Sequence, residues 1–148
     1  MLVLLAVVYP SRHLEEPFDG ILYAAVVSVG FATMENFYYL DQFGVAVVTT
    51  RTVITIPAHA FMSVPMGYFV AKSRTQLDKG IVKKNRFFLP MITVLQGWFI
   101  SALLHGFYDF LLSMKMVREA YLQIILMGVI SFFLGRSALK VSKIKLKN

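Results

Sequence analysis

From Phe18 to Leu40 the only formal charges are Asp19 at the start and Glu35 deep within, and about 20 predominantly apolar residues is the length that crosses a bilayer as a helix. Similar apolar runs cover residues 45–71, 88–113 and 120–139. A chain of 148 residues that is 57% hydrophobic and 14% aromatic carries more apolar surface than one small globule can hide from water, so lipid must cover the remainder. The expected fold is an all-α polytopic transmembrane helix bundle, with four full spans plus a partial N-terminal helix in a single integral membrane domain over residues 1–148.

The partial helix is Met1 to Tyr9, only about half of a span. No basic segment precedes it, so it reads poorly as a signal peptide and is expected to be the end of a helix that begins upstream. Pro10 to Pro17 reads as the connecting loop, and Asp41 to Gly44 as a turn. The span that follows that turn runs to about Ala71 and is interrupted by Pro57 and Pro65, which membrane helices tolerate as kinks. The tail from Lys140 to Asn148 is polar and expected to fray.

The net charge of +7 sits in short blocks between apolar runs, which is how a membrane protein marks its cytoplasmic loops rather than how it binds nucleic acid. Lys72, Arg74, Lys79, Lys83, Lys84 and Arg86 lie between the second and third full spans, and Lys140, Lys143, Lys145 and Lys147 lie in the tail, whereas the Asp41 to Gly44 turn holds no basic residue. That loop and the C-terminus are therefore expected in the cytoplasm, with the protein in the plasma membrane. The sequence has no cysteine, so any chemistry must rest on His, Asp, Glu or hydroxyl groups.

Four ionisable residues fall well inside the expected spans: Glu35, His59, His105 and Asp109. Each costs about 2.5–3.5 kcal/mol at such depth on insertion scales, and such groups are usually turned inward with a partner. Any one of them alone can be polar glue between helices. Together they have the chemistry of a water-activating site. His105 and Asp109 are four residues apart and so share one helix face, where Asp109 can orient His105 or both can face one ion. A carboxylate on another helix can serve as general base, while imidazoles ligate zinc or donate hydrogen bonds to an oxyanion.

Other residues have plainer readings. Arg51 reads as snorkelling to the headgroups, the other reading being a partnership with a site carboxylate. His13 lies in a polar loop. Phe37, Tyr38 and Tyr39 read as an interfacial belt, and Gly30, Gly67 and Gly106 as positions of close helix approach. Glu15 and Glu16 form an adjacent pair just before Pro17 and read as polar loop.

The segment FDGILYAAVVSVGFATMENFYYL, with Phe31 four residues before Glu35, the segment RTVITIPAHAFMSVPMGYFVAKS around His59, and the segment LLHGFYDFLL with His105 and Asp109 resemble, in this order, three motifs of the PrsW-type intramembrane proteases, which are grouped with the CAAX prenyl endopeptidases. The resemblance implies a metalloprotease that hydrolyses a peptide bond within the membrane, in a membrane protein or peptide such as an anti-sigma factor, and the topology expected from the basic loops puts the site near the outer leaflet. It implies Glu35, His59, His105 and Asp109 as catalytic residues. His59, His105 and Glu35 are the candidate ligands of a metal such as zinc, although the related prenyl endopeptidases are viewed as glutamate-dependent, with histidines serving the oxyanion. The family also carries a Glu-Glu-x-x-Lys motif on the preceding helix; this sequence has none there, and the motif is expected just upstream of Met1. The alternative expectation is a scaffold or substrate-binding relative that keeps the fold without the chemistry. An ion pathway or a haem site fits the same residues less well.

Overall fold

The computed structural model describes residues 2–78 and 88–145. Among the described residues the chain is helical throughout its elements, with no strand: a short π-helical turn at Leu4–Val8, then α1 (Pro17–Asp78), α2 (Phe88–Ser113) and α3 (Val117–Lys145). Lys79, Lys83, Lys84, Arg86 and Lys147, on which much of the expected orientation rests, lie outside the described residues.

Among the described residues three helices are long and apolar enough to cross a membrane, where four full spans are expected. The difference lies in α1, which is continuous except at Gly44, where φ is 78° and ψ is 177°. No L side chain adopts that backbone readily, so glycine is required at this position. There the helix folds back on itself. Asn36 Nδ2 donates to Thr52 Oγ1 at 3.2 Å, Ser28 Oγ donates to the His59 carbonyl at 2.9 Å, and Gly20 packs against Gly67. Each pair sits at, or within one residue of, mirror positions about Gly44, as two antiparallel arms require. The turn is thus a single residue, and Asp41, Gln42 and Phe43 are helical. The backbone stays helical through Pro57 and Pro65, so neither proline ends the helix.

The arms approach closely because the residues between them are small. A Cβ added at Gly20 would meet the Gly67 carbonyl oxygen, and one added at Gly67 would meet that of Gly20; Ala24 and Ala71 are buried beside them. Membrane helices pack this way because lipid supplies no hydrophobic drive between them and close van der Waals contact must do so. Gly30 and Gly106 differ from the expectation, since open space surrounds both. Large apolar side chains such as Val26, Phe99, Leu103, Leu122 and Phe133 point outward, which suits a lipid solvent.

Helix α2 packs on the second arm of α1, where Gly97 lies against Phe69 and Ser101 Oγ accepts the Met66 N–H at 3.1 Å. Helix α3 closes the other side. There Gln123 Nε2 donates to the Leu104 carbonyl at 2.7 Å, and Met62, Tyr108, Leu111, Ala120 and Met127 form a shared core. It continues to Lys145, beyond the expected fraying point at Lys140. At one end of the bundle Ser73 Oγ bonds Tyr9 Oη at 3.0 Å and the Pro90 carbonyl at 2.9 Å, and Arg74 donates to the Tyr9 carbonyl at 2.6 Å. These bonds tie the N-terminal turn, α1 and α2 together.

Candidate active site

The fold-back at Gly44 brings Glu35 on the first arm of α1 opposite His59 on the second, and α2 delivers His105 to the same place. His59 Nε2 lies 2.9 Å from His105 Nε2 and 3.5 Å from Glu35 Oε2. His59 is almost fully buried, at 3% exposed, whereas Asp109 is 58% exposed. Asp109 stands on the far side of His105, its Oδ2 2.9 Å from Nδ1. The structure therefore brings together all four sequence-expected residues, with Asp109 touching the group only through His105.

The other ring nitrogens fix the tautomers. His59 Nδ1 is 2.9 Å from the Thr55 carbonyl oxygen, an acceptor only, so Nδ1 carries the hydrogen. His105 Nδ1 faces a carboxylate and carries the hydrogen for the same reason. In the neutral rings both Nε2 atoms then present lone pairs to each other, which is repulsive unless a cation or proton sits between them. Histidine ligands of metals are held in this way, with the second ring N–H donated to a carboxylate or a backbone carbonyl.

Ligands held by a tetrahedral zinc at about 2.0–2.1 Å are about 3.3 Å from each other, and the separations of 2.9 Å and 3.5 Å bracket that value. Glu35 Oε2 is also buried without a hydrogen bond. Arg51 Nη2 is 3.0 Å from it as an ion pair, but off the hydrogen-bonding direction. Among the described residues no three acidic or histidine side chains already close into a metal site. The imidazole pair fits two ligand positions, and Glu35 is the carboxylate beside them.

Arg51 corrects the sequence reading. It does not extend to the headgroups: it is 15% exposed, pairs with Glu35, donates from Nε to Asn36 Oδ1 at 3.1 Å and lies with its guanidinium carbon 3.6 Å above the Tyr39 ring. Tyr39 is half-buried under this guanidinium, while Phe37 and Tyr38 are exposed. Asn36 and Thr55 do not stand out in the sequence, yet both hold site residues in place. The mirror relation about Gly44, which matches Asn36 to Thr52, is the signal that indicates the Arg51 partnership. Glu15 and Glu16 sit ahead of α1, and their backbone N–H groups donate to Asp19 Oδ2 at 3.0 Å and 2.9 Å, a helix-start arrangement.

Residues 1–135 match the family described as PrsW family intramembrane metalloprotease. Proteins named Protease PrsW are similar to the chain. The one from Bacillus subtilis (strain 168) is 40% identical over 111 residues, which is 75% of this chain and 47% of that protein. The one from Geobacillus kaustophilus (strain HTA426) is 40% identical over 108 residues, 73% of this chain and 44% of that protein. The one from Shouchella clausii (strain KSM-K16) is 38% identical over 112 residues, 76% of this chain and 47% of that protein. The chain spans about half the length of the curated relatives it matches. No solved structure matches it.

Proposed function

The chain belongs to the PrsW family of intramembrane metalloproteases, and from that premise we propose that it is an endopeptidase hydrolysing membrane-associated peptides at the cluster of Glu35, His59 and His105. The observation that carries this reading is the pair of facing imidazole Nε2 atoms 2.9 Å apart, each with its Nδ1 hydrogen committed elsewhere, beside a buried carboxylate oxygen. Lone pairs so arranged suit ligation of a metal such as zinc better than N–H donation to an oxyanion.

In this reading each arm of α1 crosses the bilayer, which with α2 and α3 makes four spans. The C-terminus is cytoplasmic in the plasma membrane, because basic residues flank that side. The site then falls in the outer half of the membrane, near the Gly44 turn. The substrate is a membrane protein or peptide such as an anti-sigma factor.

His59 and His105 would hold the metal, with the Glu35 carboxylate beside it, and the metal when bound supplies Lewis-acid polarisation of the scissile carbonyl. The Glu35 carboxylate takes a proton from water as the water oxygen attacks the carbonyl carbon. It then passes that proton to the amide nitrogen as the C–N bond breaks. Asp109 holds the His105 ring in the orientation and tautomer that aim Nε2 inward.

The test is metal content by mass spectrometry alongside cleavage of a panel of synthetic single-span peptides by the purified full-length protein. Glu35→Gln is expected to abolish cleavage while the protein stays folded. His59→Ala and His105→Ala are expected to lose both metal and cleavage. Wild-type turnover in any of these folded variants contradicts the proposal.

A further inference from the structure

We infer that Arg51 is a positioning residue for Glu35: its guanidinium, fixed by Asn36 and the Tyr39 ring, holds the Glu35 carboxylate at the height of His59 and His105. The inference rests on the reading of Glu35 as the proton acceptor given above.

Three contacts define the clamp, and they occupy different parts of one guanidinium. Nη2 is 3.0 Å from Glu35 Oε2, Nε donates to Asn36 Oδ1 at 3.1 Å, and the flat face covers the Tyr39 ring at 3.6 Å. Asn36 is itself 5% exposed and is fixed by its bond to Thr52 across the hairpin. The guanidinium thus has little freedom to follow Glu35; Glu35 must instead come to it. All three partners lie on the first arm of α1, on the side facing the second, so the clamp also fixes the register that puts Glu35 opposite His59.

A flexible carboxylate on a helix bordered by lipid has several rotamers, and only some reach the imidazole pair. A fixed cation beside Oε2 selects those that do. Lysine cannot replace it, because one compact ammonium on a flexible stem cannot pair with Glu35, bond Asn36 and cover Tyr39 together. Displacing a reacting group by about 1 Å costs on the order of 100-fold in rate, which sets the size of the effect.

Two experiments on the full-length protein in detergent test this. The first reads the contact without using activity, by nuclear magnetic resonance of the guanidinium groups. Arg51 is expected to show a distinct, slowly exchanging Nε proton held by Asn36, and Glu35→Gln is expected to shift the Nη signals while Nε stays distinct. Averaged signals in the wild type, or signals that Glu35→Gln leaves unmoved, overturn the inference.

The second compares kcat and KM on a single-span peptide that the wild type cuts. Arg51→Gln is expected to lower kcat about 100-fold with KM within about threefold, and Arg51→Lys to lower it about tenfold. Added methylguanidinium restores part of the turnover of Arg51→Ala, which a merely structural arginine does not explain. If Arg51→Gln fails to fold, the lysine variant decides: a folded Arg51→Lys with wild-type kcat overturns the inference. Glu35→Gln runs in the same assay. If it still cuts, the reading of the site fails; if it is inactive while the Arg51 variants cut normally, only the clamp fails.

Discussion

His105 Nδ1 points at Asp109 Oδ2 across 2.9 Å, while its Nε2 points the opposite way at His59. The carboxylate therefore acts on the site through the ring and not by direct contact. Asp109→Asn keeps the shape of this pair but lets the amide present either an acceptor or a donor to Nδ1, loosening both tautomer and orientation. Loss of such a supporting carboxylate lowers metal affinity by about 10–100-fold. Competition titration of the purified variant with a zinc chelator is expected to show a decrease in that range, and unchanged affinity contradicts the role.

The hairpin turn offers a test of the fold that is independent of chemistry. Gly44 has φ 78° and ψ 177°, a region that side-chain-bearing residues reach at a cost of about 1–3 kcal/mol. Gly44→Ala is expected to destabilise by that amount in detergent unfolding, although nothing lies within 4 Å of its would-be Cβ. Unchanged stability would show that the backbone at this turn is not as described.

Close packing of the two α1 arms predicts a contrast between glycines. Gly67→Ala drives a methyl group into the Gly20 carbonyl, a backbone atom that no rotamer change can move, so a loss of about 1–3 kcal/mol is expected. Gly30→Ala meets nothing within 4 Å and should stay within about 0.5 kcal/mol of wild type. Thermal unfolding of the two variants side by side checks this, and equal losses contradict the packing.

Glu35, His59, His105 and Asp109 are legible in the sequence because ionisable groups are costly inside apolar runs and so stand out there. The i, i+4 spacing also puts His105 and Asp109 on one face by helix geometry alone. What spacing within one helix cannot give is register between helices. Arg51 lies sixteen residues from Glu35 along the chain, and its partner depends on where the backbone reverses. A turn spread over Asp41 to Gly44 leaves that undetermined; a break at Gly44 alone determines it. The glycines show the same limit. Gly67 is a packing contact and Gly30 is not, a difference that lies in helix rotation and in no property of the residues themselves. The end of α3 departs from the expectation for another reason: the polar composition of the tail marks the edge of the apolar span, whereas the helix continues past it to Lys145.

Hydrolysis of a peptide bond within the membrane is the reaction proposed for the Glu35, His59 and His105 cluster. Its most direct test is mass spectrometry of the products when the full-length protein in liposomes cuts a synthetic single-span peptide in heavy-oxygen water. Heavy oxygen is expected in one new carboxylate at a bond inside the apolar span, with no product from Glu35→Gln. Cleavage outside the span, product without heavy oxygen, or turnover surviving in Glu35→Gln would contradict it.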